Sequence, residues 1–309
     1  VNPSQHFLDD IKKFFRSNSA LANLIIINIV VFISVNIINV ILWLFIINAD
    51  PDKLTGISKI TYWLAVPSDL GSLLIKPWTL FTYMFVQESF FHLFFNMIVL
   101  YFGGKIFTEY LSDKKLVNTY IWGGIAGSLF YVVSFNIFPV FQGAVSYSVA
   151  LGSSASVLAI LIAIATLTPD YQVNLIFLGR VKLKHVAIVF VVLDILSINK
   201  GNPGGHIAHL GGALWGYLSI ILYKKGINDP FGINWYALKN LLNWFKKKPK
   251  STFKKVYTTG RPLSDDAYNK NKAERQKKID KILDKISKSG YASLTSEEKE
   301  ILFKASKKD

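Results

Sequence analysis

The chain has 309 residues and no cysteine, so disulfide frameworks, thiol nucleophiles and zinc-thiolate sites are excluded. Apolar residues make up 51% of it and the mean hydropathy is +0.33, which is high for a soluble protein and points to a membrane class. The net charge of +15 sits mostly near one end: residues 224–309 hold 22 Lys and Arg against 10 Asp and Glu, and beside a membrane domain such a tail speaks for topology and anionic lipid, not nucleic acid.

In chain order, residues 1–22 form a short N-terminal segment. Apolar runs follow at about 23–47, 80–103, 116–138, 149–168, 184–199 and 206–223. Most reach the roughly 20 residues that a helix needs to cross a bilayer; the fifth is short and is read as a span with help from its neighbours. The first run is too long for a signal-peptide core and lacks a small-residue cleavage site, so it is expected to stay as an anchor. The expected fold is an all-α polytopic membrane protein: a six-helix bundle over 23–224, a basic juxtamembrane linker over 225–268 and a helical tail over 269–309.

The connectors set the direction. Lys12, Lys13 and Arg16 precede the first run, Lys105, Lys114 and Lys115 follow the second, Arg180, Lys182 and Lys184 follow the fourth, and the basic tail follows the sixth. The connector 139–148 has no charge and 200–205 has only Lys200. The positive-inside rule then puts both termini in the cytoplasm, and the Ile/Asn/Lys-rich composition suggests a bacterial plasma membrane. The first connector interleaves Tyr62, Trp63 and Trp78 with aliphatics and single charges, a composition suited to the membrane interface.

Polar residues inside spans are costly and are examined as functional candidates. His92 and Asn96 in "FHLFFNM" are four apart and share a helix face; they can donate hydrogen bonds to a ligand or to a neighbouring helix. In "LGSSASVLAI", Gly152 permits a sharp turn and Ser154 falls in the first turn of a helix, where unpaired N–H groups favour a developing oxyanion; a serine bonding back to its own helix is the other reading. In "NPGGHIAHLGGALWGYL", His209, Gly212 and Gly216 lie at i, i+3 and i+7, and the two glycines form a close-packing signature that brings another helix against His209. Asp194 near the end of the fifth run is assigned no role. Ser154, His209, His92 and Asn96 all reach a layer toward the outer leaflet, which suits a nucleophile, a base and oxyanion donors. With no acidic residue evidently placed to orient His209, the expectation is a Ser–His dyad. A metal or haem site on His92, His206 and His209 lacks carboxylate partners, and no cofactor or metal is expected.

These three motifs, in this order and on these runs, resemble the rhomboid family of intramembrane serine proteases over residues 78–222. "HLFFNM" is similar to the family's His-x-x-x-Asn, "GSSA" to its Gly-x-Ser turn, and "AHLGGALWG" to its catalytic histidine followed by small-x-x-x-small. The resemblance implies Ser154 as nucleophile, His209 as general base, and His92, Asn96 and the Ser154 N–H as the oxyanion hole, acting on transmembrane segments of membrane proteins. Four positions depart from common family residues: Gln87 for a second histidine, Ala155 for glycine, Leu158 for an aromatic, and Trp78-Thr79 for Trp-Arg. A non-catalytic rhomboid-like protein that binds or routes membrane proteins is the alternative.

In the tail, Trp235, Trp244 and Lys246–Lys248 suit an anionic lipid surface. Ile279, Ile282, Leu283 and Ile286 form one helical stripe ending at Gly290, and Thr295 with Glu298 makes a capping box before a second short helix. This segment is similar to the tails of Bacteroidetes rhomboids and is a candidate surface for lipid or a protein partner.

Overall fold

Most of the long apolar helices start behind a side chain that satisfies their free N–H groups. Ser19 accepts from the Ala22 N–H ahead of α1 (Ala20–Leu44). Ser89 and Ser112 do the same for two later helices, and Asn202 for the last apolar one. The computed structural model describes residues 12–45, 59–175, 179–227 and 265–306, so Trp235, Trp244 and Lys246–Lys248 lie outside the described residues.

After α1, the first connector folds into α2 (Lys59–Leu64), β1 (Val66–Pro67), α3 (Leu70–Ile75) and α4 (Thr79–Thr82), with a 3₁₀ turn at Tyr83–Phe85. Trp63 and Trp78 stack, the Trp78 indole N–H donates to the Trp63 carbonyl, and the Lys76 ammonium sits 3.4 Å above the Tyr62 ring. Trp63, Leu70, Leu74 and Ile75 stay exposed, the apolar face expected of a segment at a membrane interface. The second run, read as 80–103, is corrected: α5 is Phe90–Tyr110. The extended backbone at Val86 and Ser89 separates it from the short turns before it.

There follow α6 (Asp113–Ile137), a 3₁₀ segment (Pro139–Ala144), β2 (Val149–Ala150), α7 (Ser154–Leu167), a hairpin of β3 (Gln172–Leu175) and β4 (Gly179–Lys182), α8 (Leu183–Ser197) and α9 (Pro203–Lys224). Helices therefore lie on all six apolar runs. Among the described residues α1, α5 and α6 are long and apolar enough to cross a membrane by length and composition, and α7 is a shorter apolar helix. The hairpin was read only as a basic connector; its alternation of Val173, Leu175, Val181 and the turn at Gly179 (φ +68°) is the strand signal.

Helix α7 is the centre of the bundle. Every residue from Ala155 to Ala165 is buried, as expected of a helix apolar on all sides. Its 14 residues span about 21 Å at 1.5 Å per residue, short of a hydrocarbon layer of about 30 Å. The connector β2 leads into it. It pairs antiparallel with β1, Val66 facing Ala150 and Pro67 facing Val149, and the Ser68 N–H extends the tie to the Ser148 carbonyl. The first connector is thereby fixed to the segment that enters α7.

The basic connectors gather at one end of this unit. Asp113 at the start of α6 accepts from the Ala20 N–H at the start of α1. Lys115 lies over the Tyr223 ring at the end of α9, and Lys224 donates to the Thr166 carbonyl near the end of α7. Asp170 receives Lys182 and Lys184 at 3.0 Å each, and these cations hold its carboxyl below the usual carboxylate range.

The chain divides into two compact units, 1–240 and 241–309. In the second, α10 (Asp265–Ser289) ends at Gly290 (φ +74°) and α11 (Ser296–Ser306) follows a 3₁₀ turn. The capping box forms as read: the Thr295 N–H donates to Glu298 and the Glu298 N–H to the Thr295 hydroxyl. Lys285 ties the two helices through Glu298 at 2.9 Å. Of the expected stripe, Ile282 is buried and Ile279 and Ile286 are half-buried, but Leu283 is exposed; Leu294 from the turn is the second buried residue.

Candidate active site

The site begins with the strand-to-helix turn. After β2 the backbone at Gly152 takes φ +128°, and its N–H donates to the Tyr83 carbonyl. A Cβ at this position would lie 2.8 Å from His92 Cε1 and 3.5 Å from Ser154 Oγ. Only glycine lets the His92 ring approach the serine this closely. Ser154 is then the first residue of α7, where the backbone N–H groups have no partner within the helix.

The register of His209 against Ser154 follows from bare backbone. A Cβ on Gly212 would overlap the Ala155 carbonyl, and one on Gly216 the Ala159 carbonyl. Helix α9 thus packs on α7 at backbone distance, as the small-x-x-x-small spacing predicts. Gly123 and Gly127 of α6 do the same from the other side: a Cβ on Gly127 would lie 2.6 Å from the Ala155 methyl. Ala155, a departure from the family's common glycine, is accommodated by that gap. With Ala155 seated on Gly212, the residue before it meets the residue one turn earlier. Ser154 Oγ lies 2.6 Å from His209 Nε2.

The expectation that no acid orients His209 is overturned. Asp194 Oδ1 lies 2.8 Å from His209 Nδ1 and 2.8 Å from His206 Nδ1. If Asp194 is ionised it only accepts; both Nδ1 atoms then donate to it, and His209 Nε2 is left to accept from the Ser154 hydroxyl. Asp194 is buried, and the two imidazoles keep about a quarter of their side-chain surface accessible. The reason is topological. Helices α8 and α9 are joined by a short turn, so the last turn of α8 faces the first turns of α9. A lone carboxylate in an apolar run, counted back from that turn, was the available signal.

The same three residues place one ligand atom each within 4.8 Å, which supplies the carboxylate that the metal reading lacked.

His92 and Asn96 sit nearer the start of α5 than the sequence suggested, in its first and second turns, because the helix begins at Phe90. His92 presents Cε1 and Nε2 toward Gly152, while its buried Nδ1 has no hydrogen-bond partner among the described residues. Asn96 is buried and donates to Gln87 Oε1 at 3.0 Å. Gln87 in turn donates to Ser153 Oγ at 2.8 Å and to Asn28 Oδ1 at 3.2 Å, and Asn28 meets the Tyr120 hydroxyl. Gln87, read as a departure, is the hub that ties Asn96 to the residue before Ser154. Four of the expected site residues thus surround the Gly152 turn, and Gly212 and Gly216 hold the helix that carries His209.

Residues 75–226 match the family described as the Rhomboid domain, and residues 264–308 match a family of unknown function, DUF6576. The chain is a rhomboid-family membrane protein. It is 32% identical over 157 residues to "RHOMBOID-like protein 12, mitochondrial" of Arabidopsis thaliana, covering 48% of this chain and 47% of that one. It is 27% identical over 165 residues to "Presenilin-associated rhomboid-like protein A, mitochondrial" of Danio rerio, covering 51% and 41%. The chain spans less than half the length of these curated relatives.

Proposed function

We propose that this protein is an intramembrane serine endopeptidase that cleaves transmembrane segments of membrane proteins near the outer leaflet. The observation that carries this reading is the 2.6 Å approach of Ser154 Oγ to the acceptor nitrogen of His209, at the N-terminus of a buried helix. His209 takes the Ser154 proton as the oxygen attacks a peptide carbonyl. The first-turn N–H of Ser154, the His92 ring and the second amide hydrogen of Asn96 receive the oxyanion. The protonated His209 then gives its proton to the leaving amine, and a water molecule, deprotonated by the same ring, releases the acyl group. A helical substrate hides its carbonyls in its own hydrogen bonds, so segments with helix-weakening residues are the expected substrates.

In this reading all six helices from α1 to α9 that lie on apolar runs span the bilayer of a bacterial cytoplasmic membrane. The end with the basic connectors faces the cytoplasm, and the Ser154 end faces outward. The tail after residue 225 meets anionic lipid or a protein partner.

Labelling by a fluorophosphonate serine probe tests the proposal on purified protein in detergent or lipid. Wild type labels, and Ser154→Ala and His209→Ala do not, although both still insert. Absence of labelling in folded wild type would move the reading to a non-catalytic rhomboid-like binder of membrane proteins.

A further inference from the structure

Two imidazoles on one carboxylate oxygen are more than a Ser–His pair requires. Asp194 is buried on the last turns of α8, in a helix otherwise almost wholly apolar along its inner length, and it faces His206 and His209 at equal distances of 2.8 Å. A carboxylate taken out of water is retained only where donors compensate it. Here the two donors are these rings.

We infer that Asp194 is a positioning residue that fixes His209 in the Nδ1–H tautomer, and that His206 is the second donor that holds Asp194 in place. This rests on the hydrolase reading above, and it extends the Ser–His pair to a hydrogen-bonded chain of Ser154, His209, Asp194 and His206. The neutral imidazole has one N–H, and its position decides whether Nε2 accepts or donates. Without Asp194, Nε2–H is equally available, and in that tautomer the ring cannot take the serine proton. With Asp194, Nε2 is committed to accept. When the ring becomes imidazolium its two N–H groups have partners ready: the carboxylate on one side, and on the other the serine oxygen or leaving amine. The proton passes between Ser154, His209 and the leaving group; Asp194 stays ionised throughout. His206 touches neither the serine nor Gly152. Its Nδ1–H occupies a second lone pair of the same oxygen, so the carboxylate cannot rotate away without breaking two bonds. Among the described residues the titratable groups near His209 are Asp194 from α8, His206 from its own helix and His92 from α5.

The test measures the rate of serine-probe labelling in the full-length protein, with histidine-selective ¹⁵N NMR of the same samples. Asp194→Asn is expected to lower the rate by about 10²-fold or more, since an amide can hold the ring in the wrong tautomer. His206→Ala lowers the rate about tenfold by removing a charge-assisted bond. His206→Asn restores part of that loss, because its amide nitrogen takes the place of Nδ1. In NMR, wild type and Ser154→Ala show a carboxylate-bonded Nδ1–H on His209 that Asp194→Asn lacks. An unchanged rate in Asp194→Asn, a loss with the His209 Nδ1–H signal unchanged, or His209 protonated at Nε2 in wild type overturns the inference. Should wild type fail to label while its NMR shows Nδ1–H on both rings, the hydrolase reading fails and the Asp194 assignment stands. Should Asp194→Asn fail to fold, the wild-type tautomer and the His206 pair decide the question.

Discussion

At the scale of single residues, Gly152 and the proposed oxyanion donors carry the sharpest expectations. Gly152→Ala adds a methyl 2.8 Å from the His92 ring at φ +128°, where L residues are strained. The methyl displaces His92, and labelling falls while Gly152→Ala still folds with its α7 intact. His92→Ala and Asn96→Ala each remove one side-chain donor and lower turnover on a cleavable transmembrane substrate by about 10²–10³. Gln87→Leu is a finer probe. It breaks the link between Asn96 and Ser153 without removing any group assigned to the oxyanion, so its loss in turnover, against a smaller change for a Ser153→Ala companion, measures how far Asn96 depends on being held.

At the scale of elements, the packing of α9 on α7 through Gly212 and Gly216 predicts a separation of stability from chemistry. Gly216→Leu forces the helices apart two turns below His209 and costs about 1–3 kcal/mol by overpacking; thermal unfolding in detergent detects it. Gly212→Leu acts at the level of the site and abolishes labelling at temperatures where the fold survives. In the tail, Glu298 has its carboxyl held below the ordinary range by Lys285 and the Thr295 backbone N–H. A group with a lowered folded pKa contributes stability above its unfolded value, and that contribution is lost as pH falls through the folded one. The start of α11 therefore frays below about pH 4, seen as faster amide exchange at 297–300 in the full chain, and Glu298→Gln shows the same fraying at neutral pH. These elements also mark how far the sequence could be read. Periodic signals were local: the glycine spacing of α9, the capping box and the nucleophile turn are each defined within a few residues of one another. The end of α5 facing the site was misplaced because aromatic and aliphatic residues run from Leu80 to Val86 with only Thr82 among them, and the short polar break Gln87-Glu88-Ser89 marks the true start at Phe90. Asp194 was passed over because its partners lie on the next helix. A pair formed across a turn leaves no periodicity in either helix.

At the scale of the whole domain, the contacts that gather Ala20, Asp113, Lys115, Tyr223 and Lys224 put the starts of α1 and α6 and the end of α9 at one end. The Ser154 turn is at the other. Because the chain has no cysteine, single reporters are unambiguous. Gly143→Cys, at a position with open space around its Cβ, should react with an impermeant maleimide in intact cells. Lys105→Cys should react only after permeabilisation. The reverse pattern would turn the site toward the cytoplasm.

The burial of α7 also governs when the site can exist. A chain made from its N-terminus produces α6, then α7, and only 36 residues after Leu167 does α9 begin at Pro203. Until then one wall of α7 is missing, Ser154 has no His209, and the carbonyls of Ala155 and Ala159 face lipid or solvent instead of glycine. On the proposed reading Ser154 therefore lacks its base throughout synthesis, and it gains that base in the same event that completes the packing.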